Sequence, residues 1–381
     1  MIQKIIFTVF FVLLMSPNLR AREWDSRLIE ASQLAYQGNA SQAEALINQY
    51  IAENPIDPNG FYVKVVVEEW KAAVSGKNPS SVQREVLKLY EKASDIAFQV
   101  WNQDQENIDK MIDAGNGFLF LGRKYADVGD NLKAVLTAKK CQKYLEGALK
   151  KDPHRTEALL ALGGFHYVAG STSSAIAPFK ALLGIKGTKE QGLAELKKSL
   201  TGKHPFVNDT LYALLFINMD HERNYEEALR YQGELEKKFP NNPEMKYKRG
   251  IIFEKQEKLK GANAYLDLAR WCEASLSKCH KTYLFLAYFH AGRLFKELGD
   301  KSKAKENFAK AVLNNTNAYP VQAAEALYWP ALIEESEGQV QLAVDKFKKA
   351  KEMPGISRNF KKEIEDKLSG ICKPENTQVK C

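Results

Sequence analysis

The sequence predicts an all-α fold: degenerate antiparallel helical hairpins stacked into an α–α superhelix, or solenoid. Three observations predict it. Small and aromatic residues recur in one order along most of the chain, two copies of that order lie 34 residues apart, and apolar residues keep helical spacing rather than strand alternation. With 381 residues, 45% hydrophobic, 27% charged and 13 prolines, the chain has an ordinary foldable composition. Its length suits two globular domains or one elongated stack of repeats.

The register is clearest around Ala304. Phe308 and Ala311 follow it by four and seven residues, and Gly292, Phe295 and Gly299 precede it by 12, 9 and 5. The order returns as Gly250, Phe253, Ala262, Leu266 and Ala269, and as Phe216, Ala228 and Leu235 with Pro240 closing that unit. Leu162, Gly163, Gly170, Ala175 and Phe179 form another copy, and Gly122, Tyr125, Gly129, Ala134 and Cys141 a further one. Gly338, Ala343, Phe347 and Ala350 continue the series, while Gly38, Ala43, Ile47 and Pro55 give a half-clear first copy. The physical sense is direct. A glycine in the first helix admits close approach, an alanine in the second lets the two helices touch, and the aromatic fills the space between hairpins.

The intervals between register alanines show where the array is irregular. Ala43 to Ala134 spans 91 residues, enough for about two more hairpins, with candidate helices at Gly60–Ala73, Ser81–Val100 and Asn107–Val128 and a loop at 76–80. Val63–Val67 is the most strand-like run, but Glu68, Glu69 and Trp70 continue a helix-compatible pattern. Ala175 to Ala228 spans 53 residues and holds an insertion around 183–206, punctuated by Gly184, Gly187, Gly202 and Pro205. One short helix near Lys189–Leu200 is expected there, padding the outer edge or folding over the inner face. Ile356–Leu368 reads as a capping helix with its lysines and acids toward water, followed by a cysteine-containing tail. The expected organisation is a leader at 1–21, a repeat array over 22–355, and a cap and tail over 356–381.

The leader has Lys4, an apolar run of 11 residues from Ile5 to Met15, a break at Ser16 and Pro17, and Ala21 as a small residue for cleavage. That run falls short of the roughly 18 apolar residues of a spanning helix, and the order fits a secretory signal. Export is expected, most simply to a periplasm, with peripheral outer-membrane association as a further expectation and no transmembrane span in the mature chain. The formal charge of +8 falls to +6 without Lys4 and Arg20. Basic residues are interspersed with acids and no nucleic-acid motif accompanies them, so no nucleic-acid partner is expected. The five cysteines are Cys141, Cys272, Cys279, Cys372 and Cys381. Cys372 and Cys381 can close a small loop in an oxidising compartment. Cys272 and Cys279 lie two turns apart on an uninterrupted helix, about 10 Å, and can pair only where the chain bends. Cys141 falls in an apolar repeat slot.

The spacing resembles the tetratricopeptide-repeat superfamily, over roughly residues 25–355. The centre is also similar to bacterial relatives of the mitochondrial inclusion-body clearance repeat family. Leu162–Tyr167 resembles that family's LG-x-x-HY helix, Leu183–Gly192 its glycine-delimited insertion, Tyr225–Leu229 its Tyr-Glu-x-Ala-Leu hairpin, and Phe239–Pro243 its turn. The resemblance implies a helical scaffold for protein contacts and supplies no catalytic residue.

Catalytic and metal motifs are absent from the sequence. The six histidines form no HExxH, and Cys272, Cys279 and His280 lack the close CxxC pairs of a zinc site. The segment GIKGTKEQG is not a phosphate loop, no GxSxG elbow occurs, and His166, in a slot the repeat gives to Tyr, reads as a packed structural residue. No cofactor and no enzymatic activity are expected. First helices of such repeats line the inner curve, which places Tyr247, Ile251 and Lys255, then Phe289, Arg293, Lys296 and Glu297, then Tyr328, Leu332 and Glu335 along one candidate binding stripe. The alternative for each aromatic is the core between repeats. The stripe lacks the paired Lys and Asn of chaperone-tail-binding members. The expected function is a non-catalytic exported scaffold binding an envelope or secreted protein or peptide. The alternatives are a periplasmic accessory protein that closes its insertion on a small ligand, and an enzyme with an all-helical site.

Overall fold

The structure, a computed structural model, describes residues 22–75, 83–171, 184, 186–316, 318–373 and 380. The leader, the loop at 76–80, Ala175, Phe179 and Cys381 lie outside these residues. Among the described residues there are helices and no strands. In chain order they are α1 (Ser26–Tyr36), α2 (Ala40–Glu53), α3 (Pro58–Val74), α4 (Gln83–Gln103), α5 (Ile108–Asp127), α6 (Asn131–Lys151), α7 (Leu159–Ser171), α8 (Lys189–Ser199) and α9 (Val207–Phe216). There follow α10 (Tyr225–Lys238), α11 (Pro243–Gln256), α12 (Lys258–Ala274), α13 (Lys281–Glu297), α14 (Lys301–Leu313), α15 (Pro320–Ser336), α16 (Val340–Lys351) and α17 (Arg358–Ile371). The helices expected at 60–73, 81–100, 107–128 and 189–200 are all present, with ends moved by a few residues.

Four hairpin turns are built around a left-handed glycine. Gly38, Gly129, Gly299 and Gly338 sit between paired helices with φ of 85°, 83°, 84° and 77°. That left-handed conformation closes the first helix at little cost for glycine. At two of these turns the next residue caps the second helix: Asp130 accepts from the Lys133 amide at 3.2 Å and Asp300 from Lys303 at 3.0 Å. At the α9–α10 turn the cap is Asn224, which accepts from Glu227 at 3.2 Å, but the preceding slot holds Arg223 with φ 52°. A five-residue π-turn, Ile217–His221, ends that first helix. Neither it nor Pro330 inside α15 follows from the repeat pattern.

The chain forms two compact units. The first draws on the described residues up to Glu30, Leu46–Val65 and Leu87–Thr210, and the second on Ala31–Ala45, Val66–Val86 and Leu211 onward. In the first, α5 pairs with α6, and Ile112, Cys141, Leu145 and Leu162 share one core. The helix packed on α7 is α8, from the expected insertion. A Cβ on Gly163 would stand 2.9 Å from the Gly192 carbonyl, and one on Gly192 would stand 2.4 Å from the Tyr167 amide, so glycine on both helices lets the backbones meet. The insertion therefore serves as a hairpin partner of α7 rather than as loose padding.

In the second unit, α11 pairs with α12, α13 with α14 and α15 with α16. Register residues Ala228, Ala262, Ala304, Phe308, Ala343 and Phe347 are fully buried, whereas Ala134 in the first unit is only half-buried. A Cβ on Gly292 would press on the Phe308 ring at 3.0 Å, and one on Gly250 would meet Tyr265 at 2.5 Å. The ring filling the second notch is thus Tyr265, one residue before the Leu266 that the register nominates. Pro240 is exposed in the turn after α10, where a closing proline belongs. The first hairpin departs from nearest-neighbour stacking. Tyr36 stacks on Phe239 at 5.1 Å, Trp70 packs edge-on to Tyr212 at 5.7 Å, and the Asn242 amide donates to the Tyr36 carbonyl at 2.7 Å.

The chain bends where Cys272 and Cys279 need it to. Helix α12 ends at Ala274, and the two cysteines form a disulfide across a Cα separation of 5.1 Å. Cys372 is also disulfide-bonded, and Cys141 is a buried free thiol. The cap α17 covers α15 and α16 with Ile364 and Ile371.

Two substitutions test this packing. Gly250→Ala drives a methyl into the Tyr265 ring and lowers unfolding stability by about 1–3 kcal/mol in urea titration. Arg223→Gly relieves a left-handed residue and raises stability by about 1 kcal/mol. Gly233, with nothing within 4 Å of its Cβ position, is the control.

Candidate functional site

The first helices of three successive hairpins, α11, α13 and α15, carry the expected stripe. The structure brings most of its members together, with a rotation of one residue. Phe289 and Tyr328 are 3% and 2% exposed and belong to the core, while His290 and Trp329, one position further, are partly exposed. The register explains the shift. Counting back from Gly250, Gly292 and Ala331, the third preceding residue points into the neighbouring hairpin, fully so in α13 and α15, and the second preceding residue is partly exposed. Lys248, His290 and Trp329 occupy that second position. An i, i+4 reading from Tyr247 missed it; an i, i+3 step back from Arg293 reaches His290.

Polar contacts tie the face across helices. The Tyr247 hydroxyl lies 2.9 Å from His290 Nε2, and His290 stacks on Tyr265 at 5.0 Å with planes 20° apart. Arg293 pairs with Glu254 of α11 and, at 3.2 Å, with Glu297 one turn on, while its guanidinium approaches His290 Nδ1 at 3.4 Å. Glu297 also receives Lys258 at 3.0 Å, and Lys255 pairs with Asp220 at 3.2 Å. The Lys296 ammonium lies 3.3 Å from the centre of the Trp329 ring, a cation–π contact between α13 and α15. Ile251 packs on the core edge, Leu332 is partly buried, and Glu335 pairs with Lys367 of α17 at 3.4 Å. Glu254, Lys258 and Glu325 join this face although the stripe did not include them.

Charge states follow from burial and neighbours. Burial, reinforced by Arg293, pushes His290 down to about 3, so its ring is neutral at ordinary pH. Burial with the Arg293 charge nearby lowers Lys296, against the pull of Glu297 and Glu325. Burial raises Glu325 while Arg293 and Lys296 oppose the shift, and Glu325 makes no ion pair among the described residues. On α11, burial alone would lower Lys248, but Glu244 at 3.0 Å holds it above the usual lysine range. Elsewhere, His166 is buried with Nδ1 2.6 Å from Glu195, a packed structural contact joining α7 to α8.

The face therefore offers aromatic area, a guanidinium already held in place and a half-buried carboxylate. Those features suit holding a polypeptide by contact. Among the described residues, no group of three or more His, Cys, Asp and Glu is placed to hold a metal ion, and no helix is long and apolar enough to cross a membrane.

Fold and register define the class: a helical-hairpin repeat protein. A tetratricopeptide repeat family profile matches residues 142–189 and 289–355, two stretches that the register above also marks as repeats. No curated protein matches the sequence. Among solved structures, the chain is similar to yeast Tom70 at 13% identity and TM-score 0.39, covering 83% of this chain and 64% of that one, under two thirds of its length. It is similar to the human IFIT1 dimer with PPP-AAAA at 14% identity and TM-score 0.40, covering 92% and 86%. A tetratricopeptide repeat protein from Parabacteroides merdae gives 13% identity and TM-score 0.28, covering 91% and 98%. These distant likenesses bear on neither partner nor ligand.

The neutral His290 has a consequence for pH. The unfolded chain binds a proton on this ring near pH 6.5 and the folded chain does not until about 3. Stability due to this residue is therefore complete above pH 6.5 and declines as pH falls toward 3, by up to about 1.4 kcal/mol per unit. His290→Phe flattens that slope in denaturant titrations between pH 6 and about 4.

Proposed function

We propose that this chain is a non-catalytic, exported scaffold that binds a protein or extended peptide of the cell envelope along α11, α13 and α15. The observation that carries the binding face is the Tyr247–His290–Arg293–Glu254 network, continued by Lys296 on Trp329, which holds side chains of three successive first helices in one surface. Prearranged aromatics and arginine bind with little ordering cost, and interfaces concentrate their energy in such residues. Glu325, half-buried without an ion pair among the described residues, suits a lysine or arginine of the incoming chain.

Export rests on the leader sequence and on the cysteines. A disulfide between Cys272 and Cys279, with Cys372 also bonded, fits an oxidising compartment better than a reducing one. A periplasm meets that condition and agrees with the leader.

Two measurements test this reading. Lys296→Glu combined with Lys258→Glu reverses charge on the face and weakens capture of the envelope partner by roughly thirtyfold, about 2 kcal/mol. The exposed pair Lys361→Glu and Lys362→Glu on α17 leaves capture unchanged; equal capture by both double variants contradicts the site. In acid-quenched cells, alkylation under denaturing conditions recovers the peptide linking Cys272 and Cys279 as a disulfide, and recovery as alkylated thiols contradicts export.

A further inference from the structure

Helix α6, in the first compact unit, presents a face that the repeat has no structural need for. On a helical wheel Leu132, Leu136, Lys139, Lys140, Lys143 and Lys150 fall within one sector of about 120°, running about 27 Å along the axis. Leu132 is 72% exposed and Leu136 48%. The four lysines are exposed, and none makes an ion pair with a carboxylate among the described residues. The Lys140 and Lys143 ammoniums lie 5.1 and 5.9 Å from the centres of the Phe118 and Tyr144 rings. Nearby acids are already engaged. Asp127 pairs with Lys124 at 3.4 Å, Asp130 with Lys133 at 3.2 Å, and Glu146 accepts from Gln142 at 2.8 Å.

The shared turn gives an internal comparison. Helices α6, α10 and α14 are aligned by their caps Asp130, Asn224 and Asp300. Two and six residues past the cap, α10 has Glu226 and Arg230, and α14 has Ser302 and Glu306. Only α6 of these three carries leucine at both outward positions. Folding alone does not call for leucine at both positions, because the same slots in α10 and α14 are polar.

We propose that this face of α6 docks on an anionic phospholipid surface, with Leu132 and Leu136 entering the headgroup boundary and the lysines meeting lipid phosphates. The composition selects this occupant. Lysine point charges beside aliphatic side chains are what an interfacial helix uses. The exposed sector has no Arg, Trp or Tyr, the residues that anchor protein interfaces, and no arginine or aromatic platform for nucleic-acid bases. The inference stands on α6 alone and does not depend on the partner-binding face.

The test is flotation of the full chain with vesicles of equimolar phosphatidylglycerol and phosphatidylcholine, against vesicles of phosphatidylcholine alone. The chain floats with the anionic vesicles, and high salt releases it. Lys139→Gln, Lys140→Gln and Lys143→Gln together weaken partitioning about a hundredfold, at roughly fivefold per lysine. Leu132→Glu with Leu136→Arg installs the α10 residues without changing net charge, and it also abolishes flotation while circular dichroism stays unchanged. Binding carried by the apolar N-terminal run would be equal on both vesicles and would survive both variants; that result overturns the proposal. Flotation unchanged in the leucine variant, or no flotation of the unaltered chain, overturns it as well.

Discussion

The structure depends on one steric condition: a first helix without a side chain at the point where the second helix lays down a ring. Gly292 against Phe308 and Gly250 against Tyr265 satisfy it, and Gly163 with Gly192 satisfies its backbone version. Each notch fixes how deeply two helices approach, and the buried alanines keep the rest of the contact equally close. The turn glycines set where four of the hairpins reverse. Given depth and reversal, which residues remain on the outside is no longer free, and the candidate face follows from that geometry.

This constraint explains what could be read from the sequence and what could not. Glycine, alanine and aromatic spacing expose the class of fold because each residue type answers to a local steric need. The turns at Gly38, Gly129, Gly299 and Gly338 were legible for the same reason. Long-range contacts were not. Tyr36 meeting Phe239, and Asn242 reaching the Tyr36 carbonyl, join residues some two hundred positions apart, and no periodicity records such a meeting. The role of α8 was hidden because Gly192, which lets it pack on α7, reads equally well as the end of a glycine-delimited insertion. Tyr265 replaced Leu266 because a notch accepts a ring from either of two adjacent helix positions.

The placement of the candidate stripe on its helices was legible to within one residue. Tyr247, Arg293, Lys296 and Glu297 came from register, yet that register could not tell whether a ring points between hairpins or away from them. In α13 the difference is 100° of helix rotation, the step from buried Phe289 to partly exposed His290. The electrostatics were less legible still. A histidine held neutral, a lysine set over tryptophan and a carboxylate raised by burial all depend on residues from different helices meeting at short range. A face wired in this way keeps its shape before a partner arrives, which favours recognition by contact over ordering on binding.

The most direct measurement is cross-linking mass spectrometry on the native envelope with a lysine-reactive reagent. The account predicts that Lys255, Lys258 and Lys296 link to one and the same protein, because they belong to one surface. Links to that protein confined to lysines of other helices, with Lys255, Lys258 and Lys296 reacting only with reagent, would contradict it.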